Sequence, residues 1–328
     1  MNLIVDIDLK KLDPPIRYGD KILLSGSCFT EHIGNALADM KYRVLQNPNG
    51  ILFDPASVCN SLVSYIENRK YTAADLFELN EVWQSWQHHS RFADMDKEKC
   101  LRMINQSQEE AHAFLKEADW LIITLGSSFS YRLREKDDGK YAVANCHRAP
   151  AQLFNKYLLE IDETISLLDN CYHKLKRFNP QLRIIFTVSP VRHLRDGVVE
   201  NNRSKARLIE AVHHMVNKFD GLHYFPAYEL VIDVLRDYRF YDIDLAHPNY
   251  PATEFVLEKF AESCIDTASQ ELMKEIKKII IARKHRPVQP QTNAHRQFLQ
   301  SFYQKTKALQ DKYSFLDFTD ELAYFSGS

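Results

Sequence analysis

Residues 21–30 read Lys-Ile-Leu-Leu-Ser-Gly-Ser-Cys-Phe-Thr, and this stretch decides the fold. Its apolar start predicts a buried strand, because the run is strand-sized and stops at Gly26. Phe29, Ile33 and Leu37 then recur at helical spacing, so a helix should begin directly after a turn of small residues. A strand, a tight turn and a helix in this order form the repeating unit of an α/β sheet.

The same unit recurs along the chain. Continuous apolar runs at 120–125, 183–188 and 222–225 lack the alternation of a half-exposed strand. Helical patterns lie at 29–41, 56–68, 97–118, 160–177, 202–219, 226–237 and 252–282. Buried strands that alternate with helices predict a parallel sheet with helices on both faces. Ligands of such sheets bind at the carboxyl ends of the strands, so we look for chemistry there.

Three segments depart from this pattern. Residues 71–96 and 127–155 are rich in aromatic residues and His, and we interpret them as loops or small hairpins that wall a site. The chain becomes basic near its end: between Met273 and Lys312 there are ten Lys or Arg against two acids, and Pro287-Val288-Gln289-Pro290 should divide two helices. We therefore predict a main α/β domain at 1–265 and a basic helical extension at 266–328. A solvated charged helix face is the expected role of its basic residues.

Composition restricts the function. The chain of 328 residues has a formal net charge of −2, which excludes strong overall attraction to nucleic acid or an anionic membrane surface. The six Cys form no Cys-x-x-Cys pair, no apolar run could span a bilayer, and the N-terminus lacks a signal-peptide pattern. We expect a cytoplasmic protein with reduced thiols, no cofactor, no nucleic-acid partner and no membrane span. The oligomeric state stays open.

Cys28 follows the first strand at the start of a helix. The helix macrodipole lowers the pKa of a thiol in this position, so the turn should favour a reactive thiolate. The alternative is a buried Cys in a tight turn that has no chemical role.

A second candidate motif is Asp244-x-x-His247. An Asp three residues before a His can accept its Nδ1–H bond, which leaves Nε2 free to act as a base. Pro248 restricts the backbone of His247 to a loop conformation. Alone, the motif is short and common and better fits an Asp that caps the next helix beside an exposed His.

Three further residues could stabilise negative charge on a reacting carbonyl oxygen. Gly50 and Gly126 each could present a backbone N–H, and Ser128 a hydroxyl, to a developing oxyanion. The alternative for both glycines is an ordinary turn.

Taken in chain order, the segments around Cys28, Gly50, Gly126 and His247 resemble the GSCFA family, a branch of the SGNH/GDSL hydrolase superfamily. The family motif stands here as Gly26-Ser27-Cys28-Phe29, with Thr30 in place of Ala. The resemblance covers residues 1 to about 265. It implies a flavodoxin-like three-layer α/β/α sandwich with a five-stranded parallel sheet. Its members are mostly esterases and acyl-ester hydrolases that act on lipids, acetylated sugars or thioesters.

The resemblance also implies roles. Cys28 takes the position of the superfamily's nucleophilic Ser, and a thiol is competent there because it is already partly ionised near neutral pH. Asp244 and His247 match the superfamily's last motif in full. A register shifted by one residue would make Ser27 the nucleophile, and that alternative stays open.

For the oxyanion the match is partial. Gly50 takes the place of the second motif's oxyanion Gly, and Gly126 that of the third motif's Gly. Ser128 replaces the Asn that donates to the oxyanion, and Phe129 replaces the following Asp. Loss of that Asn would cost about 3 kcal/mol of transition-state stabilisation unless another donor serves.

Four further residues could contact substrate. Arg192 could bind an anionic group, and His193, His89 and His147 could line the pocket. A surface ion pair for Arg192, and structural hydrogen bonding for each His, are the alternatives.

We therefore predict an SGNH-type hydrolase or acyltransferase that acts on an acyl ester or thioester, including acylated carbohydrates or lipids, through an acyl-enzyme on Cys28. Its partner would be a small-molecule acyl ester. One alternative is a metal-assisted hydrolase, with ligands from Asp242, Asp244, His247 and the His88-His89 pair. The other is a non-catalytic binding protein on the same fold.

Overall fold

The computed structural model describes residues 5–134 and 142–327. In chain order its strands are β1 (Lys21–Gly26), β2 (Arg43–Gln46), β3 (Phe77–Leu79), β4 (Val82–Gln84), β5 (Trp120–Leu125), β6 (Phe129–Leu133), β7 (Phe154–Leu158), β8 (Arg183–Val188) and β9 (Leu222–Tyr224). Its helices are α1 (Cys28–Asp39), α2 (Pro55–Ile66), α3 (Lys97–Glu117), α4 (Ile161–Phe178), α5 (Val198–Lys218), α6 (Ala227–Glu229, continued as π-helical turns over Leu230–Leu235), α7 (Tyr250–Cys264), α8 (Thr267–Lys284), α9 (Asn293–Lys312) and α10 (Thr319–Ser326).

A five-stranded sheet forms the centre of the described part, in the order β2-β1-β5-β8-β9, and every pairing in it is parallel. In chain order these strands are placed 2-1-3-4-5, which is the flavodoxin-like arrangement. The predicted α/β sandwich with a parallel sheet is therefore confirmed. The chain reverses its direction of travel across the sheet between β1 and β5, so the crevice between their carboxyl ends is the expected ligand site.

Each central strand is apolar on both sides because helices cover both faces. Ile22 and Leu24 belong to one buried cluster, whereas Leu23 between them belongs to the other. The first cluster also receives side chains from α1, α6, α7, α8 and α10, and the second receives them from α2, α3, α4 and α5. Successive side chains of a strand point to opposite faces, which explains why these strands read as continuous apolar runs.

The two segments rich in aromatic residues and His, 71–96 and 127–155, contain small hairpins, as predicted. Strands β3 and β4 form one antiparallel pair, and β6 and β7 form another. Residues 135–141, which belong to the second predicted segment, lie outside the described residues. So do residues 1–4 at the start of the predicted domain and Ser328 in the predicted extension.

Two predictions about elements need correction. The predicted helix at 252–282 is two helices, because Ile265 takes an extended backbone conformation and Asp266 caps the start of α8. Strand β2 was missed: Arg43 is exposed, the other three residues are only partly buried, and one of them is the polar Gln46. Backbone pairing with β1 defines it, which no apolar pattern could indicate.

The C-terminal helices do not stand apart from the sheet. Leu272 in α8 and Phe318 and Phe325 at α10 lie in the same buried cluster as Phe29 in α1. The division at 265 and 266 stays a prediction, although α8 and α10 complete one helical layer. No helix in the described residues combines the length and the apolar character that crossing a membrane requires.

Candidate functional site

The turn after β1 requires glycine. Gly26 has φ +145°, a conformation that L side chains rarely adopt, and a Cβ there would overlap the carbonyl oxygen of Thr124 on β5. Its N–H donates to Oδ1 of Asn47 at 2.9 Å. This close approach of three chain segments brings the start of α1 to the carboxyl edge of the sheet.

The next two residues differ in access. The Ser27 side chain is buried, packs towards Gly126, and its hydroxyl has no hydrogen-bond partner in the described part of the chain. Cys28 is the first residue of α1 and is only partly buried. Access to solvent therefore favours the thiol of Cys28 over the hydroxyl of Ser27 as the reactive group.

The thiol environment of Cys28 contradicts one expectation. Burial raises the pKa of Cys28, and this effect outweighs the backbone N–H groups of Phe29 and Cys28 and the charge of Lys205, which act in the opposite direction. Glu31 raises the pKa further. The helix terminus does favour the thiolate, as expected, but desolvation of the charged form is the larger effect. The prediction of a lowered thiol pKa is wrong in direction.

Asp244 and His247 form the hydrogen bond that their spacing allows. His247 Nδ1 lies 2.6 Å from Asp244 Oδ2, and Asp244 Oδ1 accepts from the backbone N–H groups of Ala246 and His247. These bonds, with the backbone contributions first, lower the pKa of Asp244 to about 2. Leu245 between them has φ +57°, a strained conformation for a residue with a side chain. The loop thus fixes an ionised carboxylate on the imidazole and leaves Nε2 unbound.

His247 lies on the same side of the molecule as Cys28. His32 is one helical turn after Cys28 on α1, and the charge of His247 contributes to its lowered pKa, after the larger effect of burial. His247 also contributes to the lowered pKa of His193. Within the described residues no hydrogen bond joins Cys28 to His247. His247 therefore lies near His32, one turn along α1 from Cys28.

The three expected oxyanion donors are already engaged. Gly50 N–H donates to Asn47 O at 2.7 Å, and Gly126 N–H donates to Phe53 O at 2.8 Å. The Ser128 hydroxyl donates to a backbone carbonyl of α5 at 2.8 Å. In this conformation Gly50, Gly126 and Ser128 stabilise the loops around the site and have no free proton for an oxyanion.

One amide beside the turn is unpaired. Asn47 accepts the Gly26 N–H with Oδ1, whereas its buried Nδ2 has no partner in the part of the chain that the structure describes. Asn47 follows β2 with φ +45°, and it is not among the residues expected at the site from the sequence. Its signal was the position of an Asn directly after a strand, which could not be recognised while β2 was unknown.

A second missed residue is Lys205. Its side chain is 1% exposed, and Nζ donates to the carbonyls of Gly126 and Ser189, each at 2.6 Å. These carbonyls follow β5 and β8, so the ammonium group lies at the same sheet edge as Cys28. Nothing in the sequence around Lys205 distinguishes it from an ordinary helix-surface lysine.

The predicted contact residues lie in two places. His193 packs edge-on against Phe53, and its pKa is lowered to about 4 by burial first and then by the Lys205 charge. His89 packs over Gly50, where a Cβ would overlap the His89 Cβ. Both therefore border the site.

His147 and Arg192 have structural partners. His147 Nε2 lies 2.8 Å from a backbone oxygen of the β4 loop, at Ser85, and its ring contacts Phe77. The Cζ atom of the Arg192 guanidinium lies 4.4 Å from the centre of the Tyr241 ring. Both residues line a cavity of about 340 Å³ beside the loop that carries His247. The expected contact of Arg192 with an anionic group stays a prediction, and Asp233 and Asp237 line the same cavity. His147 lies among the residues of the hairpins.

The predicted metal ligands are not brought together. Across the described ranges, no group of three or more His, Cys, Asp or Glu side chains has the geometry of a metal site. His88 is buried between the rings of Tyr71 and Phe92, away from the exposed Asp242. The described cysteines, Cys28, Cys59, Cys100, Cys146, Cys171 and Cys264, are all free thiols.

Comparison with known proteins identifies two matching family models. The GSCFA family model matches residues 21–260, and the model described as GSCFA domain protein, C-terminal domain, matches residues 276–327. No curated protein matches the chain. The crystal structure of a carbohydrate esterase family 3 from Talaromyces cellulolyticus is similar over 79% of this chain and 99% of that chain, at 11% identity and a TM-score of 0.35. At that TM-score the similarity supports neither a fold nor an activity for this chain.

Proposed function

Since the chain belongs to the GSCFA family, we propose that it is an acyl-ester hydrolase or acyltransferase that works through an acyl-enzyme on Cys28. The observation that carries this proposal is the His247–Asp244 pair, joined at 2.6 Å and located beside the α1 face that carries Cys28. An oriented base near a partly exposed thiol at a helix N-terminus is the arrangement that nucleophilic acyl transfer requires.

In the proposed first step, His247 Nε2 takes the thiol proton and Cys28 Sγ attacks the carbonyl carbon of the ester. His247 then gives this proton to the departing alkoxide, and a thioester remains on Cys28. In the second step, His247 removes a proton from water or from an acceptor hydroxyl, whose oxygen attacks the thioester. The acyl product leaves, and the proton returns to the Cys28 sulfur. Asp244 holds the imidazole in the required tautomer throughout.

The proposed oxyanion donors are the first amides of α1. The N–H groups of Cys28 and Phe29 point at the thiol and have no partner inside the helix. We assign the unpaired Nδ2 of Asn47, whose Oδ1 accepts from the Gly26 N–H, as a third donor in place of the superfamily's missing Asn. These three groups take over the role first expected for Gly50, Gly126 and Ser128.

The test is hydrolysis of p-nitrophenyl acetate and of acyl-thioesters by the purified protein. Cys28→Ala and His247→Ala should each lower kcat/KM at least about 100-fold, the usual size of a lost nucleophile or general base. Cys146→Ala removes another partly buried free thiol and is the matched control; it should stay within about threefold of the unchanged protein. Equal rates for all four proteins would rule out the proposal.

Two outcomes would change the proposed nucleophile or the proposed function. Activity that survives Cys28→Ala but is lost in Ser27→Ala would make the buried hydroxyl the nucleophile. A second candidate function, a non-catalytic binding protein, is favoured by the engaged N–H groups of Gly50 and Gly126. Absence of both turnover and a Cys28-dependent acetyl adduct in intact mass spectra would support that candidate.

A further inference from the structure

Lys205 is a buried cation whose partners carry no full negative charge. The two carbonyls that accept from its Nζ belong to Gly126 and Ser189 and carry only partial charge. In the residues described, no carboxylate lies within ion-pair distance of Nζ. An ammonium group so deep in the protein is costly unless an anion compensates it.

The groups that face Lys205 come from three other elements. They are Cys28 on α1, His193 after β8, and Tyr228 on α6, whose ring centroid is 5.9 Å from Nζ. Cys28 directly follows Ser27, which packs against Gly126, and the Gly126 carbonyl accepts from Nζ at 2.6 Å. His193 stays neutral because burial holds its pKa at about 4. Tyr228 is a phenol whose pKa burial raises, so it is also neutral near pH 7. Cys28 is therefore the one of these three groups that can supply a negative charge to the ammonium.

Lys205 and Cys28 each favour the charged form of the other. Burial lowers the pKa of Lys205 to about 7, and a negative charge on Cys28 raises it. Around the thiol, Lys205 favours the thiolate and Glu31 opposes it. Two ionisable groups that favour each other's charged forms are linked by equal amounts in both directions.

We propose that Lys205 is a positioning residue whose ammonium group stabilises negative charge on Cys28 from inside the sheet edge. This inference rests on the proposed role of Cys28 as the nucleophile. In its ammonium form Lys205 takes no proton from the thiol and forms no covalent bond: the thiol proton goes to His247 or to solvent, and the ammonium compensates the charge left on sulfur. Its bonds to Gly126 and Ser189 fix the cation at the ends of β5 and β8.

The competing explanation is structural, with Lys205 acting only as a link between two strand ends. Iodoacetamide alkylation of Cys28, followed across pH by peptide mass spectrometry, distinguishes the two. Lys205→Met removes the charge but keeps the apolar stem, whereas Lys205→Arg keeps the charge. Cys146 in the same samples serves as an internal reference.

We expect Lys205→Met to slow Cys28 alkylation at pH 7 about tenfold and to move the midpoint of the pH profile up by about one unit. Lys205→Arg should restore the midpoint to within about half a unit, and Cys146 should not change. Identical Cys28 midpoints in all three proteins would overturn the proposal, even if the Tm of Lys205→Met fell.

The effect of Cys28 on the pKa of Lys205 can be measured without a substitution at Lys205. NMR titration of ¹³C-labelled lysine Cε groups should show one lysine that titrates near neutral pH, far below ordinary lysines. Cys28→Ser should lower that midpoint, because the thiolate that supports the ammonium form is gone. An unchanged midpoint would contradict the proposal. Neither readout depends on ester turnover, so failure of the proposed hydrolase activity would be seen separately.

Discussion

At the residue scale, Gly26 controls how closely β1, β5 and α1 can approach. A methyl group at this position would overlap the Thr124 carbonyl oxygen, and the backbone at φ +145° is strained for any L side chain. We expect Gly26→Ala to lower the free energy of unfolding by more than about 3 kcal/mol, measured by urea denaturation.

Substitutions at two other glycines distinguish the effect of the overlap with Thr124 from the effect of backbone strain. Gly19 has open space and an ordinary φ, so Gly19→Ala should change stability by less than about 0.5 kcal/mol. Gly221 has open space but φ +80°, so Gly221→Ala should cost about 1–2 kcal/mol through backbone strain alone. If Gly221→Ala and Gly26→Ala cost the same, the contact with Thr124 would contribute nothing.

The site was only partly predictable at this scale. The spacing of Asp244 and His247 is local, so their hydrogen bond could be derived from the sequence. His32 could also have been found, since it lies one helical turn after Cys28. Lys205 could not, because its position depends on how α5 packs against strand ends that lie far away in the sequence.

At the element scale, Asp266 divides one apolar helical pattern into two helices. Its Oδ1 accepts from the N–H groups of Ala268 and Ser269, which would otherwise be unpaired at the start of α8. We expect Asp266→Ala to lower the free energy of unfolding by about 1 kcal/mol, measured by urea denaturation.

Asp8→Ala is the control for removing a negative charge, because Asp8 is exposed and caps no helix. It should be neutral within about 0.5 kcal/mol. If the two substitutions had equal effects, the loss at Asp266 would come from charge and not from the cap.

Elements with a strong local pattern were predictable, and elements defined by their neighbours were not. Strands β5 and β8 were correct to the residue because helices bury both of their sides. Strand β2 lies at the sheet edge, where partial burial leaves no apolar run. The break after α7 is marked only by a capping Asp, which the apolar periodicity on both sides of it conceals.

At the scale of the whole molecule, buried histidines should make the fold sensitive to acid. His88 is 1% exposed, and burial first, followed by the charge of Arg69, lowers its pKa from 6.5 to about 3. The unfolded chain binds a proton at this position below about pH 6.5, whereas the folded protein does not until about pH 3. Stability therefore rises with pH in that window, by about 1.4 kcal/mol per unit for each such group.

We expect His88→Phe to make the plot of unfolding free energy against pH shallower by about 1.4 kcal/mol per unit between pH 6 and pH 4. Phe keeps the ring contacts with Tyr71 and Phe92 and removes the titration. His214→Gln, at an exposed position on α5, should leave the slope unchanged. Parallel plots for His88→Phe and the unchanged protein would show that His88 is protonated while folded.

The parallel sheet followed from the repeating strand and helix units, but its strand order and the position of the C-terminal helices did not. The basic residues beyond Met273 suggested a separate, solvated extension. The apolar residues between those charges decide the packing instead: Leu272, Phe318 and Phe325 join the cluster of Phe29. Apolar periodicity indicates that a helix has a buried face, but not which surface covers it.

This shared cluster also determines when the site can form during synthesis. The ribosome makes Cys28 before Lys205 and His247, and it makes Phe318 and Phe325 after both. Until Phe318 and Phe325 emerge, the buried cluster that holds α1 is incomplete, so the helix that carries the proposed nucleophile cannot be fully packed. A nascent chain must therefore carry an unassembled site until those two residues have left the ribosome, and the complete site is a product of folding after that point.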